Sequence, residues 1–211
     1  MNIRWFGHSC FLLTSSNGTR ILTDPFDEQV GYPLPNVDAD IVTTSHDHFD
    51  HGNAAIVNGY SEHIKDSGAF KYHDIEIRGV ATFHDEKGGA LRGKNVVFIF
   101  TIDGINVCHL GDLGHSLSEQ QIKEIGQIDV LLVPVGGVFT IDSNMAIKVI
   151  NSLAPKISIP MHYKTEYLSF ELDGVESFLA AASGKSLTTN EMTINKDNLS
   201  GFPGVIALSY R

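Results

Sequence analysis

The segment His46-Asp47-His48-Phe49-Asp50-His51 decides how this chain is read. It places four metal-capable side chains in six residues, directly after the apolar run Ile41-Val42-Thr43-Thr44. A loop leaving a buried strand is held rigidly at its root. His46 and His48, at alternate positions, can point one way and chelate one ion, while Asp50 and His51 can serve a second ion beside it. Imidazole together with carboxylate suits borderline cations, Zn first, with Mn and Fe as contenders.

Further ligands have to come from elsewhere. The chain has ten histidines, about twice ordinary usage. Two of them, His84 and His162, end apolar stretches, as does Asp112. Strand alternation puts Asp112 on the side of Cys108 and Leu110 and His109 on the other. The two are therefore not expected to be ligands together, and Asp112, a carboxylate able to bridge two ions, is the better candidate. Asp24 is either a third carboxylate ligand or a group that orients a ligand His. His8 either lines the pocket or is structural, and His115, just after Asp112, is a further candidate. His63 and His73 lie in polar stretches and are given no role.

Around these positions the first third reads as short strands. Cys10 to Thr14 and Arg20 to Thr23 flank an Asn17-Gly18 turn, a strong hairpin signal. Strands are expected at 41–44, 75–83, 96–101, 105–110, 130–135, 157–161 and 204–210, with a glycine-rich, mobile loop over 85–95. Helices are expected from a capping box at Ser116-Leu117-Ser118-Glu119 to about Gly126, over Ser143 to Leu153 before Pro155, and over 175–182. A faint repeat links the two halves: hairpin, Asp24, the Asp40-Ile41-Val42 strand and a strand ending in His84, then hairpin, Asp112, the Asp129-Val130-Leu131 strand and a strand ending in His162. Two such halves packed face to face would gather those ends along one edge. Strands followed by helices, twice over, predict an α/β architecture of sheets covered by helices.

Bulk properties narrow the partners. The 211 residues carry 15 Lys+Arg against 25 Asp+Glu, a formal charge of -10. So acidic a surface disfavours nucleic-acid binding. A small anionic substrate is not excluded, because bound cations would dominate the local field. Two cysteines do not make a disulfide framework. No signal peptide is visible, and no apolar stretch approaches the ~18 residues of a membrane span. The expectation is one cytoplasmic domain over residues 1–211, acting on a small molecule without nucleic-acid or membrane partners.

The ordered set of His-x-His-x-Asp-His, then His84, Asp112 and His162, resembles the metallo-β-lactamase-fold hydrolases across nearly the whole chain. The resemblance implies a four-layer αβ/βα sandwich with two similar halves. It also implies that His46, His48 and His84 bind one metal, that Asp50, His51 and His162 bind a second, that Asp112 bridges, and that Asp24 supports the ligand loop. Gly7-His8-Ser9-Cys10, Gly111-Asp112-Leu113-Gly114 and Ile159-Pro160-Met161-His162-Tyr163 are similar to the small bacterial proteins related to L-ascorbate-6-phosphate lactonase. Asp112 stands where the penicillin-hydrolysing class has a Cys ligand. His48 stands where the flavodiiron relatives have Glu. There is little room for the helical domain of the glyoxalase II relatives, and neither an insert nor a basic patch suggests the tRNA-gripping arm of the tRNA 3′-processing enzymes.

The expected chemistry is hydrolysis of a small ester, lactone or phosphoester by a hydroxide shared between two cations. Asp50 would orient the attacking water and take its proton, and His8, Tyr163, Lys164 and Arg92 are candidate substrate contacts. Two rival readings are metal-dependent redox chemistry on this fold, which predicts one iron and a coloured protein, and a non-catalytic metal-binding or sensing protein, which predicts tight metal binding without turnover.

Overall fold

A computed structural model describes residues 1–210. In chain order its elements are β1 (Asn2–Trp5), β2 (Phe11–Thr14), β3 (Arg20–Thr23), β4 (Ile41–Thr43), β5 (Glu62–Ile64), β6 (Gly68–Tyr72), β7 (Ile75–Phe83), β8 (Lys94–Ile102), β9 (Ile105–His109), α1 (Glu119–Ile125), β10 (Val130–Pro134), α2 (Ser143–Leu153), β11 (Ile157–Met161), α3 (Glu176–Ala181), β12 (Lys185–Ser186), β13 (Glu191–Thr193) and β14 (Ile206–Ala207).

These strands form two six-stranded sheets, ordered β13-β1-β2-β3-β4-β5 and β6-β7-β8-β9-β10-β11. Read in those directions, both sheets have three antiparallel pairings followed by two parallel ones. The fold is therefore an α/β sandwich of two similar mixed sheets. The repeat differs in detail from its expected form. β7, which precedes His84, occupies the place of β1 in the other sheet, so the topological counterpart of His84 is His8 and not His162.

Strand alternation builds the layers. Leu13, Ile21 and Ile41 face the core between the sheets, which also takes Val97, Val107, Leu131 and Ile159. Their neighbours Leu12, Leu22 and Val42 face a smaller outer cluster with Phe26, Val30 and Tyr32. That outer face is covered by irregular segments with short 3₁₀ turns at Glu28–Val30 and Ala54–Ile56. The second sheet carries α1 and α2, and α3 packs on α2. α1 begins two residues later than its expected capping box. Ser118 caps it and Gln121 reciprocates, in place of the equally spaced Ser116 and Glu119.

The overlooked strands are short, polar or at sheet edges. His63 lies in β5, where its ring bonds the Thr44 hydroxyl, instead of in a loop. The expected 204–210 strand shrinks to β14, which pairs with β12. No helix of the described residues is long and apolar enough to cross a membrane.

Candidate metal centre

Within each sheet β1, β3 and β4, or β7, β9, β10 and β11, run the same way, so their C-terminal ends share one edge. The candidate residues follow those ends: His8 after β1, Asp24 after β3, His46 to His51 after β4, His84 after β7, Asp112 after β9 and His162 after β11. The carboxyl ends of strands are where open α/β sheets place their ligands.

The Asp112 carboxylate sits at the centre. Its Oδ2 lies 3.1 Å from His84 Nε2, 3.3 Å from His162 Nε2 and 3.8 Å from His46 Nε2, and its Oδ1 lies 3.1 Å from His51 Nε2. His46, His48 and His84 form one group of donors. Asp50, His51 and His162 form a second, and His8 joins it. His8 Nε2 donates to Asp50 Oδ2 at 3.1 Å. The sequence left His8 between pocket and structural roles; the fold brings it fully buried into the cluster.

Supporting contacts fix these side chains. Asp24 Oδ2 accepts from His51 Nδ1 at 2.8 Å, and the Asp24 carboxylate also accepts from the Ser45 amide and hydroxyl at 2.7 and 2.6 Å. His51 Nε2 is thereby turned towards Asp112. Asn95 accepts from the Asp112 amide and donates to Leu110 O and the Thr82 hydroxyl. Gly111 has φ +54, and a Cβ there would collide with Asn95 and Ser45, so the turn before Asp112 requires glycine. His8, Asp24 and His162 also hold left-handed backbone, at φ 51, 43 and 51. Such conformations gather at functional sites.

Charge follows from this packing. Burial, then the neighbouring His51, pushes His46 down to about 3, and burial, then His162, pushes His8 to about 4. Both are neutral imidazoles at neutral pH. Burial opposes ionisation of Asp112, but His162 and His51 outweigh it and hold the carboxyl well below the usual range. Burial likewise opposes ionisation of Asp50, and His51 and His8 outweigh it.

The donor set fits divalent cations. His51 Nε2, both ring nitrogens of His162, and Asp112 Oδ1 are buried without a hydrogen-bond partner. Buried orphans of this kind cost about 1–3 kcal/mol each unless something satisfies them. His51 Nε2 and His162 Nε2 both face the Asp112 carboxylate, at 3.1 and 3.3 Å, and imidazole nitrogens beside carboxylates are the donors a borderline cation takes.

The other candidates separate. Arg92 reaches the cavity of about 370 Å³ above the cluster, which Phe49, Phe139 and Phe170 also line. Tyr163 does not: its hydroxyl points to Leu208 O and its ring packs on Trp5. Lys164 is turned away, its Nζ bonding Leu168 O, Phe170 O and Glu171. His115 is spent on backbone, accepting from the Phe83 amide and donating to Ser116 O. His109 likewise bonds Ser9 O and the Gly111 amide. A wider groove of about 840 Å³ beside the starts of α1 and α2 holds His115 and none of the clustered donors. The expected mobile loop is anchored, since Asp85 accepts four backbone amides, from Lys87, Gly89, Leu91 and Arg92.

The profile of the β-lactamase superfamily domain matches residues 2–162. A UPF0173 metal-dependent hydrolase of Archaeoglobus fulgidus is 31% identical, over 89% of this chain and 93% of its own length. The chain belongs to the UPF0173 metal-dependent hydrolase family, within the metallo-β-lactamase superfamily. Among solved structures of this superfamily, a Thermotoga maritima protein described as a candidate Zn-dependent hydrolase is 43% identical. It superposes with a TM-score of 0.82, covering 98% of this chain and 97% of the other. A Parabacteroides distasonis structure at 21% identity, with TM-score 0.67 over 98% of this chain and 91% of its own, shares the fold. The UPF0173 relatives carry the name metal-dependent hydrolase, and this member has a buried His/Asp cluster capable of binding metal.

Proposed function

We propose that this UPF0173 protein is a dinuclear hydrolase of small esters, lactones or phosphoesters, acting in the cytoplasm on a small molecule and not on nucleic acid or membrane. The observation that carries the reading is the buried Asp112 carboxylate, which faces both groups of donors at once. His46, His48 and His84 would hold one cation, Asp50, His51 and His162 the other, and Asp112 both. Two divalent ions, Zn foremost and Mn or Fe next, would supply Lewis acidity and lower the pKa of water.

The chain's own groups do the rest. Asp24 holds the His51 tautomer. Asp50, ionised at neutral pH and tied to His8, orients the attacking water and accepts its proton at the carboxylate oxygen. The Phe49, Phe139 and Phe170 side chains narrow the water-accessible approach to the cluster. The Gly111-Asp112-Leu113-Gly114 and Ile159-Pro160-Met161-His162-Tyr163 motifs favour a lactonase of the L-ascorbate-6-phosphate type within this class.

The test pairs metal analysis with a screen of lactones and phosphodiesters, with Asp112→Ala as control. Two ions per chain, turnover by the wild type, and loss of metal and turnover in Asp112→Ala and His48→Ala are expected. Equal metal in wild type and Asp112→Ala, with neither turning over, would overturn the reading. A single iron with a coloured protein would favour redox chemistry instead.

A further inference from the structure

The cavity above the cluster has chemically distinct walls. Its lining combines the polar group His48, Asp50, His84 and Asp112, taken as its floor, with three phenylalanines and Arg92. Phe170 packs edge-on against Phe49 and against Phe139, each at 6.2 Å between ring centroids. Phe49 and Phe139 are nevertheless 46% and 38% exposed. Clustered aromatic surface left open beside a polar cluster marks a ligand contact better than scattered exposure does.

Arg92 is held in place from two directions. Its own amide is bonded to Asp85, and its guanidinium donates to Val138 O at 3.2 Å and lies 5.5 Å over the Phe139 ring. Val138 is a β-branched residue at φ 52, in a tight turn where the Phe139 amide bonds Gly137 O. A β-branched side chain adopts that backbone only under constraint. The turn presents the Val138 carbonyl and the Phe139 ring to one guanidinium. Among the described residues Arg92 forms no ion pair, so its remaining N–H donors are free to meet an anion.

We propose that Arg92 and the three phenylalanines form a substrate subsite for a small molecule with one apolar acyl or aryl group and one oxyanion, a carboxylate or phosphate. The phenylalanines enclose the apolar part and Arg92 pairs with the oxyanion, while the bond to be hydrolysed lies over the floor. This rests on the hydrolase reading of the same site. The cavity is near the small end of ligand sites, which fits a metabolite-sized molecule and not a polymer.

Calorimetry on the metal-loaded protein tests the subsite without turnover, using 4-phenylbutyrate and 4-phenylbutanamide as probes. The acid is expected to bind on the order of tenfold tighter than the amide, as a charge-assisted contact would give. Arg92→Gln should abolish that preference, Arg92→Lys should keep part of it, and Lys94→Gln should leave it intact. Val138→Gly, which frees the turn that anchors Arg92, should reduce it without loss of thermal stability. Phe170→Ala should weaken acid and amide alike, and Phe139→Ala, which also removes the ring beneath Arg92, should weaken both and the acid more. A preference that survives Arg92→Gln would place the oxyanion on the cations of the floor and overturn the proposal, as would phenyl probes indifferent to both Phe variants. Arg92-dependent preference in a protein that hydrolyses nothing would sink the hydrolase reading and leave the subsite standing.

Discussion

Asp24 and His51 are joined by a buried 2.8 Å hydrogen bond from His51 Nδ1 to the Asp24 carboxylate, which reaches across from the end of β3 to the ligand loop after β4. Asp24 belongs to the wall behind the cluster. Its oxygens are taken by His51 and by the Ser45 amide and hydroxyl. Asp24→Asn keeps the size of the side chain but removes the charge that makes the opposite His51 nitrogen a strong donor. Metal affinity is expected to fall about 10–100-fold, as for other partners of ligand histidines, measured by competition with a chromophoric chelator. Asp24→Ala also strands buried N–H groups and should lower stability by about 1–3 kcal/mol for each. Unchanged affinity in both variants would show that His51 needs no such partner.

Asp85 organises the loop that carries Arg92. Burial works against its charge, but the amides of Arg92, Lys87, Leu91 and Gly89 outweigh it and hold the carboxyl at about 2. The loop is therefore wound around an anion that stays ionised. Asp85→Ala removes the acceptor for all four amides, and residues 86–92 should then exchange their amide protons with solvent much faster while β7 and β8 keep their protection. Metal content should stay at the wild-type level. Protection of those loop amides equal to wild type would show that the sequence around Gly88 and Gly89 holds the loop without Asp85.

How far the sequence reached follows from where each signal is stored. The His46 to His51 segment and the strands before Asp112 and His162 are local patterns, and both the two-sheet fold and the gathering of those residues along one edge could be read from them. His8 could not be placed, because its position depends on a left-handed turn at φ 51 and on the His162 amide bonding its carbonyl from the other sheet. β5 and β6 escaped because edge strands such as Glu62-His63-Ile64 lack a buried alternating face. Phe49, Phe139 and Phe170 come from three separate loops, so no sequence period joins them. Asp85 left no pattern, since its partners are backbone amides.

Lys164 acts through the segment it braces. Its ammonium bonds the carbonyls of Leu168 and Phe170 at 3.0 and 2.9 Å and pairs with Glu171, so it fixes the turn that presents Phe170 to the cavity. Lys164→Met retains the aliphatic stem and loses the donors. If ordering that turn is worth about 1 kcal/mol, KM for an aryl ester should rise about fivefold with kcat little changed. Metal content should be unaffected. A fall in kcat at constant KM would instead place Lys164 in the chemical step and contradict its observed orientation.

Ser16 and Asp103 pin the two equivalent hairpin turns to each other, away from the metal centre. The Asp103 carboxylate accepts from the Ser16 amide and hydroxyl, both at 2.8 Å, and the Met1 ammonium lies 3.1 Å away. Burial opposes ionisation, but the Ser16 bonds and that ammonium together outweigh it and set the carboxyl below its ordinary value of 3.8. A carboxyl depressed in the folded state stabilises fully above its unfolded pKa and loses that contribution as pH falls through its folded pKa. Asp103→Asn is the informative variant, because Asn tolerates the φ of 53 at this position and isolates the charge. The wild type should show a higher urea midpoint than the variant at neutral pH. The gap should close as the solution is acidified below 3.8. Because both proteins carry the same metal centre, acid effects there cancel in the difference. A gap that stays constant down through that range would mean that the Asp103 charge contributes nothing to holding the hairpins together.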